Sequence, residues 1–388
     1  MKIKLPLLAK IVIAIILGVV CSLFFPDWLT RFFVTLNVIF SNLLNFIIPL
    51  LILGLVAPGI AELGKGAGKM LGVTTLIAYF STVLAGLFSY GICKFSYPKI
   101  LEQGGMVSND FVSSTPLTPY FTIEMPPLFD VTSALVLSFM LGLTMIYIKG
   151  NSIKGFMSDL RDIITILINK VIIPILPVYI FSIFLKMGAE GVVVDVISLF
   201  IKVIVVIFIM HIALLLLQFS VAGIISGKAP LKALKNMMPA YFTALGTQSS
   251  AATIPVTLAC VKKNGVKEHI ADFVVPLCAT IHMSGSILKI VACAIAIAFM
   301  MGMPIEFGTY IEFVLLLAIT MVASPGVPGG AIMAALGVIA SVLGFDANLQ
   351  GLMIAVYIAM DSFGTACNIT GDCAISLIVD KIFVKKDA

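Results

Sequence analysis

Charge is scarce in this chain. Aspartate, glutamate, lysine and arginine make up 11% of its 388 residues, against 61% hydrophobic residues, and the mean hydropathy is +1.17. No soluble domain of this size has that balance. Alternating apolar and polar residues are also missing. The apolar runs are continuous, which excludes a membrane β-barrel. There is no G-x-x-x-x-G-K-[ST] loop and no G-x-G-x-x-G after a strand, so an ATP-driven pump in one chain is not expected. None of the seven cysteines forms a C-x-x-C pair. Most lie inside apolar segments, which argues for packing over a disulfide framework or a metal site. The net charge of +5 comes from short loops that follow membrane topology, so nucleic acid is not an expected partner.

The chain instead has length of apolar run. A helix needs about 20 residues to cross a bilayer. Runs over 6–25, 32–60, 70–95, 127–148, 160–187, 194–226, 270–302 and 350–380 predict eight spans. The opening MKIKLPLLAKIVIAIILGVV resembles a secretory signal. Its apolar stretch runs on to Phe25 without a small-residue cleavage site, so it reads as a retained first helix. Residues 99–126, with Pro116, Pro119, Pro126 and Pro127, read as a long, flexible external connection.

Two further apolar stretches, 236–262 and 306–345, are interrupted by Ser, Thr, Gly and Pro. Lys228, Lys232 and Lys235 precede the first, and Lys262, Lys263 and Lys267 follow it. Lysine and arginine favour the cytoplasmic side, so this stretch enters and returns on that side as a re-entrant hairpin. Broken backbone at membrane depth is tolerated only where protein or water satisfies it. The second stretch has no basic flank and reads as the opposite hairpin, with SPGVPGG at its tip. Lys65, Lys69, Lys149, Lys154, Arg161, Lys381, Lys385 and Lys386 then fall inside, and both termini are cytoplasmic. Oppositely oriented, Gly/Pro-interrupted segments point to a secondary transporter with a site near the midplane.

Three motifs carry the chemistry. The first tip, GTQSSAATIPVT, offers hydroxyls and free amides that suit an anionic carboxylate. Equally, its small residues serve tight helix packing. In the last helix Asp361, Thr365, Asn368 and Asp372 recur at i, i+4, i+7 and i+11, which places them on one face. Asp361 suits an ammonium group, Asn368 a carboxylate, and Asp372 a desolvated monovalent cation, because hard cations take oxygen ligands. The structural alternative is pairing with Lys289 or His282. Both bases sit in CATIHMSGSILK (278–289), an apolar span that also holds Ser284, Gly285 and Ser286 and reads as the unwound middle of the seventh helix. Ionisable groups at such depth mark sites or pathways.

SSAATIPVT, CATIHMSGS, GVPGG and DSFGTACNITGD, in that order, resemble the dicarboxylate/amino acid:cation symporter family, the glutamate-transporter-like proteins. The resemblance covers essentially the whole chain and is densest over 240–380. It implies a homotrimer in a bacterial inner membrane with an elevator mechanism. A static scaffold would comprise mainly 1–64 and 96–193, and a moving transport domain mainly 65–95 and 194–388. It also implies roles. Asp361 holds the substrate amino group, and Asn368 the carboxylate with help from Ser249 and Ser250. Thr365 and Ser286 line the same site. Asp372 is a sodium ligand, and Val327, Pro328, Gly329 and Gly330 form a lid. Thr280, His282, Ser284 and Ser324 stand at further ion positions, as does the hydroxyl pair Ser81 and Thr82.

Three departures stand out. The family's Asn-Met-Asp-Gly-Thr motif is here His282-Met283-Ser284-Gly285-Ser286, so a sodium site loses two ligands. The arginine of acidic-substrate members is replaced by Gly364 or Gln248, which leaves a side-chain carboxylate without a bidentate partner. Lys289 stands where an uncharged residue is usual. A bacterial serine/threonine group in this family also lacks that motif aspartate and that arginine, although this chain keeps the Asn-x-Thr-Gly-Asp ending of the glutamate group. The expected function is therefore sodium-coupled symport of a small neutral amino acid such as serine, threonine or alanine, without a bound cofactor. Proton coupling through His282 or Lys289 stays open, because histidine titrates near neutral pH. So do an acidic amino acid or C4-dicarboxylate with Lys289 as its charge partner, Lys289 as a tethered cation in the vacated ion site, and Lys289 merely snorkelling or neutralising Asp372. A hydrolase using Ser284 or Ser286 with His282 lacks both a nucleophile elbow and an evident nucleophile–base contact, and no enzyme is expected.

Overall fold

The computed structural model describes residues 7–63, 68–104, 117–129, 131–191, 193–322, 324 and 329–383. Among them the only regular structure is helical. The N-terminal half comprises α1 (Leu7–Ser22), α2 (Asp27–Leu63), α3 (Gly68–Ile100), α4 (Val131–Met145), α5 (Ser152–Leu167) and α6 (Ile173–Ala189). A π-turn over Ile168–Ile172 joins α5 to α6. Pro174 follows at the start of α6 and has no N–H to donate, so the wider turn lets the helix pass without a break.

The C-terminal half runs α7 (Val193–Ser226), α8 (Pro230–Asn236), α9 (Met238–Thr247), α10 (Ser250–Lys263), α11 (Glu268–Ile281), α12 (Ser284–Met300), α13 (Phe307–Val322), α14 (Gly330–Leu343), α15 (Ala347–Ala359) and α16 (Asp361–Phe383). The expected run 270–302 is thus two helices, α11 and α12, parted at His282 and Met283. The run 350–380 parts at Met360 into α15 and α16. The stretch 236–262 is the helix pair α9 and α10, and 306–345 is the pair α13 and α14, each pair packed on itself.

Six helical stretches are long and apolar enough to cross a membrane: Asp27–Pro58, Lys69–Ile100, Ser152–Ala189, Phe200–Ser226, Glu268–Met300 and Asp361–Phe383. The spans expected at 6–25 and 127–148 are shorter apolar helices. Exposure separates the stretches further. Along α7, Ile201, Val205, Ile209, Ile212 and Ile224 face outward. In water so large an apolar surface would be a liability; facing lipid tails it costs nothing. The most apolar part of the Glu268–Met300 stretch is instead almost wholly buried, and every residue of α12 is inside the protein. Alpha-12 is therefore the axis around which α3, α7, α15 and α16 pack. In the N-terminal half α2 packs on α4, α5 and α6, and α1 on α6. Alpha-14 packs on α2 and α4 of this group, and α15 on α1 and α6.

The segment after residue 117, expected to be a flexible connection, lies against α2. Arg31 donates from Nε to the Thr118 carbonyl at 3.0 Å, and Asn42 Nδ2 donates to the Ile123 carbonyl at 2.8 Å. Tyr120 donates to the Trp28 carbonyl at 2.8 Å, and Arg31 covers its ring at 4.5 Å. Side chains of α2 supply the backbone partners that this Pro-rich stretch cannot supply itself.

Candidate functional site

The break between α11 and α12 positions the site. His282 and Met283 are extended or irregular there, so the first amides of α12 have no partner in their own helix. Asn368 of α16 supplies one. Its Oδ1 accepts from Gly285 N at 2.7 Å and Ser286 N at 3.2 Å, and its Nδ2 donates to Ser286 Oγ at 3.1 Å. Tyr357 of α15 donates to the same Ser286 oxygen at 3.2 Å. The helices touch at glycine: a Cβ on Gly285 would lie 2.6 Å from Cys367 Cβ and 2.7 Å from the Gly364 carbonyl.

On one side of Asn368 lies Asp361, at the first turn of α16. Its Oδ1 accepts from Lys289 Nζ at 3.0 Å, and its Oδ2 accepts from Gly329 N at 2.7 Å. Lys289 Nζ also sits 3.4 Å from the Met360 carbonyl and 3.4 Å from the centre of the Tyr357 ring. On the other side lies Asp372, whose Oδ1 accepts from His282 Nδ1 at 2.9 Å. The opposite nitrogen of His282 is 3.1 Å from Ser81 Oγ. Gln218 of α7 donates from Nε2 to both Ser81 Oγ and Ser284 Oγ, each at 3.1 Å. Asp372, His282, Ser81, Gln218 and Ser284 thus form one polar chain through the core. It ends in two buried oxygens with no hydrogen-bond partner among the described residues, Asp372 Oδ2 and Gln218 Oε1. An unsatisfied buried acceptor is costly unless a cation or donor meets it.

The expected site residues divide by position. Asp361, Asn368, Ser286 and Lys289 meet in one cluster, and Asp372, His282, Ser81 and Ser284 in the adjacent one. Thr365 turns to the Asp361 carbonyl on its own helix. Thr82 turns to Ala78 and Thr280 to Leu277, so these hydroxyls are spent on their own helices. Ser324 is buried and donates to Met283 Sδ at 3.0 Å. Ser249 caps α10 through Ala252 N, after Gln248 at a left-handed φ of 53°. Ser250 is buried in the first turn of α10 and has no hydrogen bond to Asn368 or Asp361 among the described residues. Gly330 opens α14 behind Gly329, whereas Val327 and Pro328 lie outside the described residues. Lys289 pairs with Asp361 and His282 with Asp372, so the expected neutralisation of Asp372 falls to the histidine.

Residues missing from the sequence expectations are His211, Gln218 and Tyr357. His211 bonds from Nε2 to the Gly285 carbonyl at 3.0 Å, and it lies seven residues from Gln218 on the same face of α7. Polarity recurring at that spacing within an apolar span is the signal that marks them.

A family model described as the sodium:dicarboxylate symporter family matches residues 7–382. The chain belongs to the sodium:dicarboxylate symporter family. The serine/threonine transporter SstT of Acinetobacter baumannii (strain AYE) is 27% identical over 404 residues, covering 97% of each chain. An excitatory amino acid transporter of Caenorhabditis elegans is 34% identical over 146 residues, 37% of this chain and 29% of its own. The neutral amino acid transporter B(0) of Rattus norvegicus is 33% identical over 146 residues, 37% of this chain and 26% of its own. The protein is a multi-pass membrane transporter and not an enzyme.

Proposed function

We propose that this protein is a secondary active transporter that carries a small neutral amino acid, such as serine, threonine or alanine, in symport with sodium. Asp361 takes the solute ammonium, with Thr365 beside it. Asn368 takes the solute carboxylate, with Ser249 and Ser250 of the α9–α10 tip assisting. Sodium is cargo and goes to the Asp372 side. The observation that carries this reading is the pair of buried, unpartnered oxygens Asp372 Oδ2 and Gln218 Oε1, the ligand chemistry that a desolvated hard cation needs. The Acinetobacter serine/threonine transporter supports the substrate class.

The same reading takes the chain as eight spans with two re-entrant hairpins, α9–α10 and α13–α14, the second forming a lid. Both termini face the cytoplasm of a bacterial inner membrane. In a homotrimer, α3 and α7–α16 move as an elevator against α1, α2 and α4–α6. The grouping of helix contacts supports that division.

A second reading, proton symport, is favoured by His282, whose imidazole lies on Asp372. A competition panel separates the readings. Labelled-serine uptake into proteoliposomes is measured in sodium and in choline, against serine, threonine, alanine, aspartate and succinate. Competition by the neutral amino acids in sodium alone supports the proposal. Competition by aspartate or succinate alone, or equal uptake in choline, counts against it.

A further inference from the structure

Lys289 is the one lysine sealed inside the described core. Lysines in apolar helices normally extend their stems and keep the ammonium in water. This one is the sixth residue of α12 and has no exposed atom. Three kinds of ammonium acceptor converge on it. Asp361 lies at 3.0 Å, the carbonyl at the break between α15 and α16 at 3.4 Å, and the Tyr357 ring face at 3.4 Å. A carboxylate, a free carbonyl and an aromatic face are what recognises a primary ammonium. Gly364 makes the room, because a Cβ there would stand 2.7 Å from Nζ and 2.9 Å from Cε. Four residues on three segments thus form an ammonium site, and the protein's own side chain fills it.

We infer that Lys289 is a tethered stand-in for the solute ammonium, competing with it for Asp361. This rests on the reading of Asp361 as the solute's ammonium seat. In the empty carrier Lys289 balances Asp361 and His282 faces Asp372, so no lone carboxylate is carried through the membrane. Solute binding displaces the tethered ammonium. Apparent affinity is reduced in proportion to the fraction of carriers in which Lys289 has left the seat. Net uptake needs the empty carrier to return, and this return depends on Lys289. Exchange of one solute for another does not, because the carrier crosses loaded in both directions.

The test compares the full-length protein with Lys289→Met and Gly364→Ala, using direct serine binding in detergent and uptake in proteoliposomes. Lys289→Met is expected to bind serine at least 10-fold tighter and to lose net uptake at least 10-fold. Exchange of labelled for unlabelled serine persists. Gly364→Ala keeps the lysine but crowds Nζ off Asp361, and it shifts affinity in the same direction. It covers the case in which Lys289→Met fails to fold. Weaker or unchanged serine binding in Gly364→Ala or a folded Lys289→Met, or parallel loss of exchange and net uptake, overturns the inference while leaving amino-acid transport standing. Absence of serine binding by the wild type and both variants overturns the transport reading and the inference with it.

Discussion

His282 places its Nδ1 2.9 Å from Asp372 Oδ1, and both side chains are fully buried. The contact joins the break between α11 and α12 to the middle of α16. A carboxylate this deep needs a partner for each oxygen. The imidazole supplies one, and Oδ2 has no hydrogen-bond partner among the described residues. The pair therefore ties the two helix segments together in the core.

Removing the histidine should strand the carboxylate. His282→Ala is expected to destabilise the protein by about 3–5 kcal/mol, the range for breaking a buried pair. Combining it with Asp372→Asn should recover much of that loss. Unfolding in detergent checks this as a double-mutant cycle. Strictly additive effects would mean that the two side chains do not act together.

Asn368 carries two amides of α12 on one oxygen. Asn368→Ala leaves both N–H groups buried and unpaired, at about 1–3 kcal/mol each. Asn368→Gln keeps both the acceptor and the donor on a longer stem and adds no charge, so it should be the milder of the two. Equal Tm losses for the two variants would contradict the capping role.

Helical periodicity makes the Asp361–Asp372 face legible in the sequence, because four polar residues on one stripe of an apolar helix need polar partners along that stripe. The breaks within 236–262, at 282–283 and within 306–345 are legible too, since Gly, Pro and Ser clusters fall inside apolar runs, whereas the parting at Met360 is not. Pairing across helices is not. Nothing local says whether Lys289 reaches Asp361 or Asp372, which depends on how α12 is rotated against α16. His211 and Gln218 each look like an isolated polar residue in an apolar run until α7 is packed on the break. The anchoring of residues 117–127 on α2 is hidden as well, because loop composition does not reveal a distant carbonyl's donor.

Close approach at Gly285 gives a steric prediction. Gly285→Ala puts its methyl 2.6 Å from Cys367 Cβ and 2.7 Å from a backbone oxygen, neither of which can yield cheaply. The expected cost is about 1–3 kcal/mol, with loss of transport. Gly308→Ala in α13 meets nothing within 4 Å and should change stability by no more than about 0.5 kcal/mol. Thermal melts of the two variants side by side check the contrast.

Asp361 gives a binding prediction. Asp361→Asn keeps an oxygen for Gly329 N but loses the charge that pairs with an ammonium. Serine binding should weaken by about 2–5 kcal/mol, as for other truncated charge pairs. Direct binding in detergent checks it, and affinity within a factor of two of wild type would remove Asp361 from the solute site.

Net accumulation tests the central claim most directly. Purified protein in proteoliposomes, given labelled serine and an inward sodium gradient, should concentrate serine above the outside level, and choline in place of sodium should abolish this. Equal accumulation in choline would contradict sodium symport. Simple equilibration in sodium would contradict coupled transport altogether.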